Sequence, residues 1–231
     1  MRFPPQDSIV IETAEQVNFA IIWLHGLGAS GDDFVPVVDE LKKSAPLGIR
    51  FLFPNAPMIP VTVNGGYIMP AWYDILSMSG LSREVDHQGI MDSIGIVQQL
   101  VDEQVGQGIP ADHIFLAGFS QGGAIAYSAA LTLDQRLAGM MALSTYIPEP
   151  AWLKINYNSI QQGIPVLSMH GTQDPVVSLQ LGQQAYQLVQ QLGVAAQWFD
   201  YPMQHQVCWE QIQQLDNWLS QQLVMIAKTG Q

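Results

Sequence analysis

Short apolar runs alternate with amphipathic stretches along this chain. β-Branched, aromatic and other apolar residues dominate Phe19–Leu24, Ile49–Phe53, Ile114–Phe119, Met140–Ser144, Pro165–Met169 and Ala196–Tyr201. Each run has the length of a strand buried on both faces. Between them, Gly89–Val105 sets Ile90, Ile94, Val97, Val101 and Val105 three or four residues apart, the spacing of one helical face. Gly122–Leu133 and Leu179–Leu192 follow the same rule. Trp209–Ile226 predicts a closing helix with Trp209, Ile212, Leu215 and Leu219 on one face. Gly108-Ile109-Pro110 and Gly163-Ile164-Pro165 read as short connecting loops. Strands alternating with helices predict an α/β fold, a mostly parallel central sheet flanked by helices. No long linker or internal repeat interrupts it, so residues 1–231 read as a single domain.

Residues 54–81 break the pattern. Pro54, Pro57, Pro60, Gly65, Gly66, Pro70 and Gly80 alternate with Tyr67, Trp72 and Tyr73, without clear periodicity. A segment of this length inside a compact domain is usually functional. It predicts an irregular excursion across the sheet edge that walls a pocket.

Composition narrows the function classes. Hydrophobic residues are 48% of the 231 and charged residues 12%, enough for a large core. No apolar run reaches 18 residues, and the amino-terminal stretch lacks a long apolar segment, which argues against stable membrane insertion and a secretory leader. The single cysteine, Cys208, allows no intrachain disulfide and favours a reducing, cytoplasmic setting. A net charge of -12 disfavours nucleic acid as a partner.

The chemistry centres on Gly118-Phe119-Ser120-Gln121-Gly122. This G-x-S-x-G pattern carries a nucleophilic serine when a strand precedes it and a helix follows, because the turn is too tight for larger flanking residues. Ile114–Ala117 and Gly123–Ala130 supply that context. A nucleophilic serine needs a base, and the base needs an orienting carboxylate. In such folds the order is serine, acid, histidine. Asp174 follows the run Pro165–Met169, and His205 lies on the loop after Ala196–Tyr201, both at the carboxyl edge of the sheet. His170 precedes the acid and reads as a structural turn residue, as does His25. For the oxyanion, the backbone N–H of Gln121 and that of Leu27 in the loop His25–Gly31 are the expected donors. No His/Cys pair has zinc-ligand spacing, so no metal site is expected.

Leu24-His25-Gly26-Leu27-Gly28, Phe53-Pro54-Asn55-Ala56-Pro57, Trp72-Tyr73-Asp74-Ile75, Gly118–Ala124 and His170-Gly171 with Asp174 together resemble the acyl-protein thioesterase and small carboxylesterase family of α/β-hydrolases. The resemblance runs from about residue 18 to about residue 222. It implies an α/β-hydrolase fold, no cofactor, an ester or acylated substrate, and a monomer or weak homodimer. It also implies Ser120, Asp174 and His205 as a triad with Leu27 and Gln121 as oxyanion donors.

The leading expectation is a carboxylic-ester hydrolase working through an acyl-enzyme. Protein-S-acyl thioesterase or lysophospholipase is the alternative role, and a non-catalytic binding protein on the same fold is a remote one. For the acyl pocket, the apolar residues Ile68, Met69, Trp72, Ile75, Leu76 and Met78 of the excursion are expected to contact substrate, together with Met203 beside the base.

Overall fold

A computed structural model describes residues 8–229. The chain opens with β1 (Ser8–Glu12) and β2 (Phe19–Leu24), then a single turn α1 (Val35–Val38) and β3 (Ile49–Pro54). Four short strands follow as β4 (Met58–Val61), β5 (Tyr67–Pro70), β6 (Ile75–Ser79) and β7 (Ser82–Val85). Next come α2 (His87–Gly106), β8 (Ile114–Phe119), α3 (Gln121–Thr132), β9 (Gly139–Leu143) and α4 (Pro150–Asn156). The fold closes with β10 (Pro165–Gly171), α5 (Leu179–Gln191), β11 (Ala195–Tyr201) and α6 (Trp209–Thr229).

Seven strands form one sheet in the order β1-β3-β2-β8-β9-β10-β11. All neighbours run parallel except β1, which pairs antiparallel with β3. This is the mostly parallel, helix-flanked α/β sheet that the alternating runs predict. The edge strand β1 was not among the predicted runs: its exposed Ile9 and Val10 give it the look of a solvated segment.

Both faces of the sheet are apolar, and β2 shows how. Ala20, Ile22 and Leu24 join the core beneath α2, α3 and α5, while Phe19, Ile21 and Trp23 join that beneath α1 and α6. Alternation by two therefore serves two cores, which is why the strand reads as an unbroken apolar run. In α2 the buried stripe is Ile90, Ile96, Val97, Leu100 and Val101, whereas Val105 is exposed. The Asp86 carboxylate caps this helix, accepting from the Gln88 and Gly89 N–H groups at 3.1 Å each; such a cap contributes about 1 kcal/mol. The stripe of α6 also differs from expectation. Ile212, Leu215, Trp218, Leu219 and Leu223 are buried, but Trp209 is exposed because it opens the helix before the sheet is reached.

The stretch expected to be irregular is regular. Residues 54–81 and their sequel fold into two small antiparallel hairpins, β4–β5 and β6–β7. Pro60 and Pro70 sit within the first hairpin, and this edge placement, where no ladder N–H is required of proline, is what hid the strands from a periodicity test. Among the described residues no helix is long and apolar enough to cross a membrane.

Candidate active site

The elbow between β8 and α3 forces Ser120 into φ 53°, ψ −120°, a region that a residue with a Cβ rarely adopts. Its surroundings over-determine that geometry. Ser120 N–H donates to the Leu143 carbonyl at 3.0 Å, and its own carbonyl accepts from Thr145 Oγ1 at 2.6 Å and Ala124 N–H at 3.1 Å. The flanking glycines are sterically required. A Cβ on Gly118 would lie 2.5 Å from the Gly122 backbone, and one on Gly122 would lie 2.3 Å from the Leu24 carbonyl oxygen.

The parallel sheet then delivers the partners. Carboxyl ends of β2, β8, β10 and β11 share one edge, so the loops that follow them converge over Ser120. His205, on the loop after β11, has Nε2 at 2.9 Å from Ser120 Oγ and Nδ1 at 2.7 Å from Asp174 Oδ2. With Nδ1–H donating to the carboxylate, Nε2 is free to accept the serine proton. The Asp174 side chain is fully buried, and its other oxygen accepts from Val176 N–H at 2.8 Å and Val177 N–H at 2.9 Å. Burial alone would raise the Asp174 pKa. The His205 hydrogen bond and these backbone donors outweigh it and leave the carboxyl below its usual range. It is therefore an anion at neutral pH.

The other histidines have different work. His170 is buried, with Nε2 at 2.8 Å from the Val177 carbonyl and its ring stacked on Trp198. His25 is buried with Nδ1 at 2.7 Å from the Gly26 carbonyl, while Nε2 accepts from Ala56 N–H at 3.0 Å. Desolvation lowers both pKa values, so both rings stay neutral. They fix the loops that carry Asp174 and Leu27, respectively.

A cavity of about 580 Å³ opens over Ser120. Leu27 and Gln121 line it, and neither backbone N–H has a hydrogen-bond partner among the described residues. Gln121 is the first residue of α3, whose N-terminal N–H groups have no intrahelical acceptor. Two free donors therefore belong to residues that line the cavity with Ser120, which itself stands at the positive end of the α3 dipole.

Of the seven residues expected at the acyl pocket, Ile75 and Met78 line this cavity. Ile68, Met69, Trp72, Leu76 and Met203 do not. Ile68 and Leu76 point to solvent from their hairpins, and Met203 is buried beside Gly171. Met69 packs toward Gly28, in the loop that carries Leu27. Trp72 is a buried strut: its Nε1–H donates to the His25 carbonyl at 2.9 Å and its backbone N–H to Gln121 Oε1, also at 2.9 Å. Gln121 Nε2 in turn donates to the Tyr73 carbonyl at 2.8 Å. The excursion thus contributes backbone and a tryptophan that tie the loop carrying Leu27 to the start of α3. Other apolar parts of the cavity wall are Val63 of the excursion and, from outside it, Phe34, Val37, Tyr146, Val176 and Val207. None stands in a motif. Val176 and Val207 could have been noticed as apolar residues two positions from the acid and the base.

The sequence profile of the phospholipase/carboxylesterase family matches residues 5–223. Acyl-protein thioesterase 1 of Cryptococcus neoformans is 37% identical over 235 residues, covering 92% of this chain and 96% of the relative. The Neurospora crassa protein of the same name is 33% identical over 98% of this chain and 94% of its own length. Among solved structures, Arabidopsis thaliana SOBER1 superposes with a TM-score of 0.84 at 28% identity, over 89% of this chain and 99% of that one.

Proposed function

The chain belongs to the phospholipase/carboxylesterase family of α/β-hydrolases and is a carboxylic-ester hydrolase, and from that premise we propose that Ser120, His205 and Asp174 carry the reaction through an acyl-enzyme. The observation that supports it most is the unbroken hydrogen-bonded chain from Ser120 Oγ through the imidazole to a buried carboxylate. His205 Nε2 takes the serine proton as Oγ attacks the acyl carbon. The oxyanion forms against the N–H groups of Leu27 and Gln121, each such donor being worth about 10² to 10³ in rate. Collapse expels the alcohol or thiol, which leaves with the proton held by His205. Water then repeats the sequence in reverse roles, yielding the free acid and the serine.

Ester and thioester cleavage use the same steps. Curated relatives are named acyl-protein thioesterases, and the apolar cavity suits an acyl chain, so a thioester of an acylated protein is the second reading. A fluorophosphonate probe should label the wild-type protein and leave Ser120→Ala unlabelled. A panel of p-nitrophenyl esters of rising chain length, run beside a palmitoyl thioester, then ranks the two substrate classes. Labelling that persists in Ser120→Ala would overturn the assignment of the nucleophile.

A further inference from the structure

Eight Lys and Arg residues face twenty Asp and Glu in this chain, so a cation in the substrate cavity without a carboxylate partner stands out. Arg83, on β7, is that cation. It forms no ion pair among the described residues, whereas Arg50 is paired with Glu12. The guanidinium lies 4.9 Å from the centre of the Tyr146 ring. Its Nη2 donates to the Val176 carbonyl at 2.6 Å, its Nη1 faces only Met78 Sδ, and its Nε–H is buried with no acceptor. A thioether is a weak acceptor on a flexible stem, so it is easily displaced by a better one. A partly desolvated guanidinium with spare donors is poorly compensated until an anion reaches it.

Position adds to chemistry. Arg83 and Tyr146 line both the Ser120 cavity and a second cleft of about 430 Å³. Lys154 lines that second cleft and also forms no ion pair among the described residues. Two unpaired cations thus share one depression on a protein of net charge -12. Low-dielectric walls strengthen a local field of this kind.

We propose that Arg83, backed by Lys154, forms an anion-recognition subsite contiguous with the Ser120 cavity, selecting esters that carry a carboxylate or phosphate away from the scissile bond. This rests on the hydrolase reading above. Arg83 also ties the β6–β7 hairpin to the loop that carries Val176, and a purely structural role would affect all substrates alike.

The test compares charged with neutral esters of matched length. One arm sets the mono-p-nitrophenyl ester of adipic acid against p-nitrophenyl hexanoate, placing the charge on the acyl part. The other sets a 1-acylglycerol 3-phosphate against the neutral monoacylglycerol, placing it on the leaving group. In Arg83→Met the charged-to-neutral ratio of kcat/KM should fall about tenfold or more in at least one arm, and that arm identifies the end of the substrate that is read. Arg83→Lys should keep part of the ratio, and Lys154→Ala should lower it less. In the wild type the same ratio should fall as NaCl rises, since a charge contact is screened, and this measurement decides the matter if Arg83→Met does not fold. Charged and neutral rates that fall in parallel, or a salt-insensitive ratio, would overturn the subsite. Failure of fluorophosphonate labelling in the wild type would instead sink the hydrolase reading and this one with it.

Discussion

The elbow at Ser120 and the paired hairpins both border the cavity over Ser120, yet they are built on opposite principles. Around Ser120 every side chain of α3 from Gln121 to Leu131 is buried, and the backbone is closed on itself to within the radius of a methyl group. In the hairpins Met58, Tyr67, Ile68 and Met78 are more than half exposed, and Gly65 and Gly66 have no neighbour where a Cβ would sit. The first region must hold three side chains within hydrogen-bond distance, which demands a rigid scaffold. The second need only offer apolar surface, which tolerates change. Hydrogen bonds between the Gln121 side chain and the Trp72 and Tyr73 backbone bolt the two regions together.

The sharpest way to break this contrast is at the base. His205→Ala should lower kcat/KM by about 10⁶-fold, as removal of one member disables a triad that acts as a unit. His170→Ala should leave most of kcat intact and act through stability. Steady-state kinetics with melting curves separates the two. Equal kinetic losses in folded proteins would show that the base has been misassigned.

One substitution made in both regions measures their rigidity next. Gly122→Ala pushes a methyl group into the Leu24 carbonyl and should cost about 3 kcal/mol, with activity lost. Gly66→Ala meets open space, at φ 78°, and should cost only the 1–2 kcal/mol, roughly, of a left-handed alanine. Urea midpoints at constant m-value give both numbers. Comparable costs would mean that the elbow relaxes more freely than its contacts imply.

The same difference explains what could be read from the sequence. Six strands show as short apolar runs, and four helices as amphipathic or apolar stretches, because each packs into the sheet's cores. The elbow shows because its steric demands leave a Gly-x-Ser-x-Gly trace, and the order of Asp174 and His205 follows from strand ends. The cavity wall left no such trace. Phe34, Val37 and Tyr146 reach it from unrelated parts of the chain, so no local pattern joins them. Trp72 misled for a physical reason: a large aromatic in a loop suits a ligand wall and a buried strut equally, and only its indole hydrogen bond to His25 decides. Leu76 and Ile75 are neighbours in sequence, but the β6–β7 register shifts between Ile75 and Ser77, so Ile75 and Met78 both line the cavity while Leu76 is left exposed.

A smaller effect is expected from pH. His25 and His170 both have pKa values lowered by burial, so below about 6.5 the unfolded chain takes up protons that the folded one refuses. Stability from these groups is complete above that pH and is lost as pH falls toward the folded-state values. The urea midpoint should therefore decline between pH 7 and pH 5, and His170→Asn should make the decline shallower. An unchanged slope in that variant would remove His170 from the account, leaving the carboxylates that titrate lower.

The smallest effect should come from the pair Ile75 and Leu76. Ile75 is 7% exposed and lines the cavity, whereas Leu76, at the register shift of the same hairpin, is 39% exposed and does not. Each methylene that a substrate buries is worth about 0.8 kcal/mol, somewhat under fourfold in affinity, so kcat/KM should climb with acyl length until the wall is met. Truncating the wall lengthens the slot: Ile75→Ala should move the optimum to longer chains. Leu76→Ala removes apolar surface that no acyl chain reaches, and its profile should match the wild type within about twofold at every length. Running both variants across one ester series controls for hairpin stability, because the two substitutions loosen the same strand. A shift of the optimum in Leu76→Ala would mean that the hairpin turns over to close on substrate, and that the exposed face of this region belongs to the pocket after all.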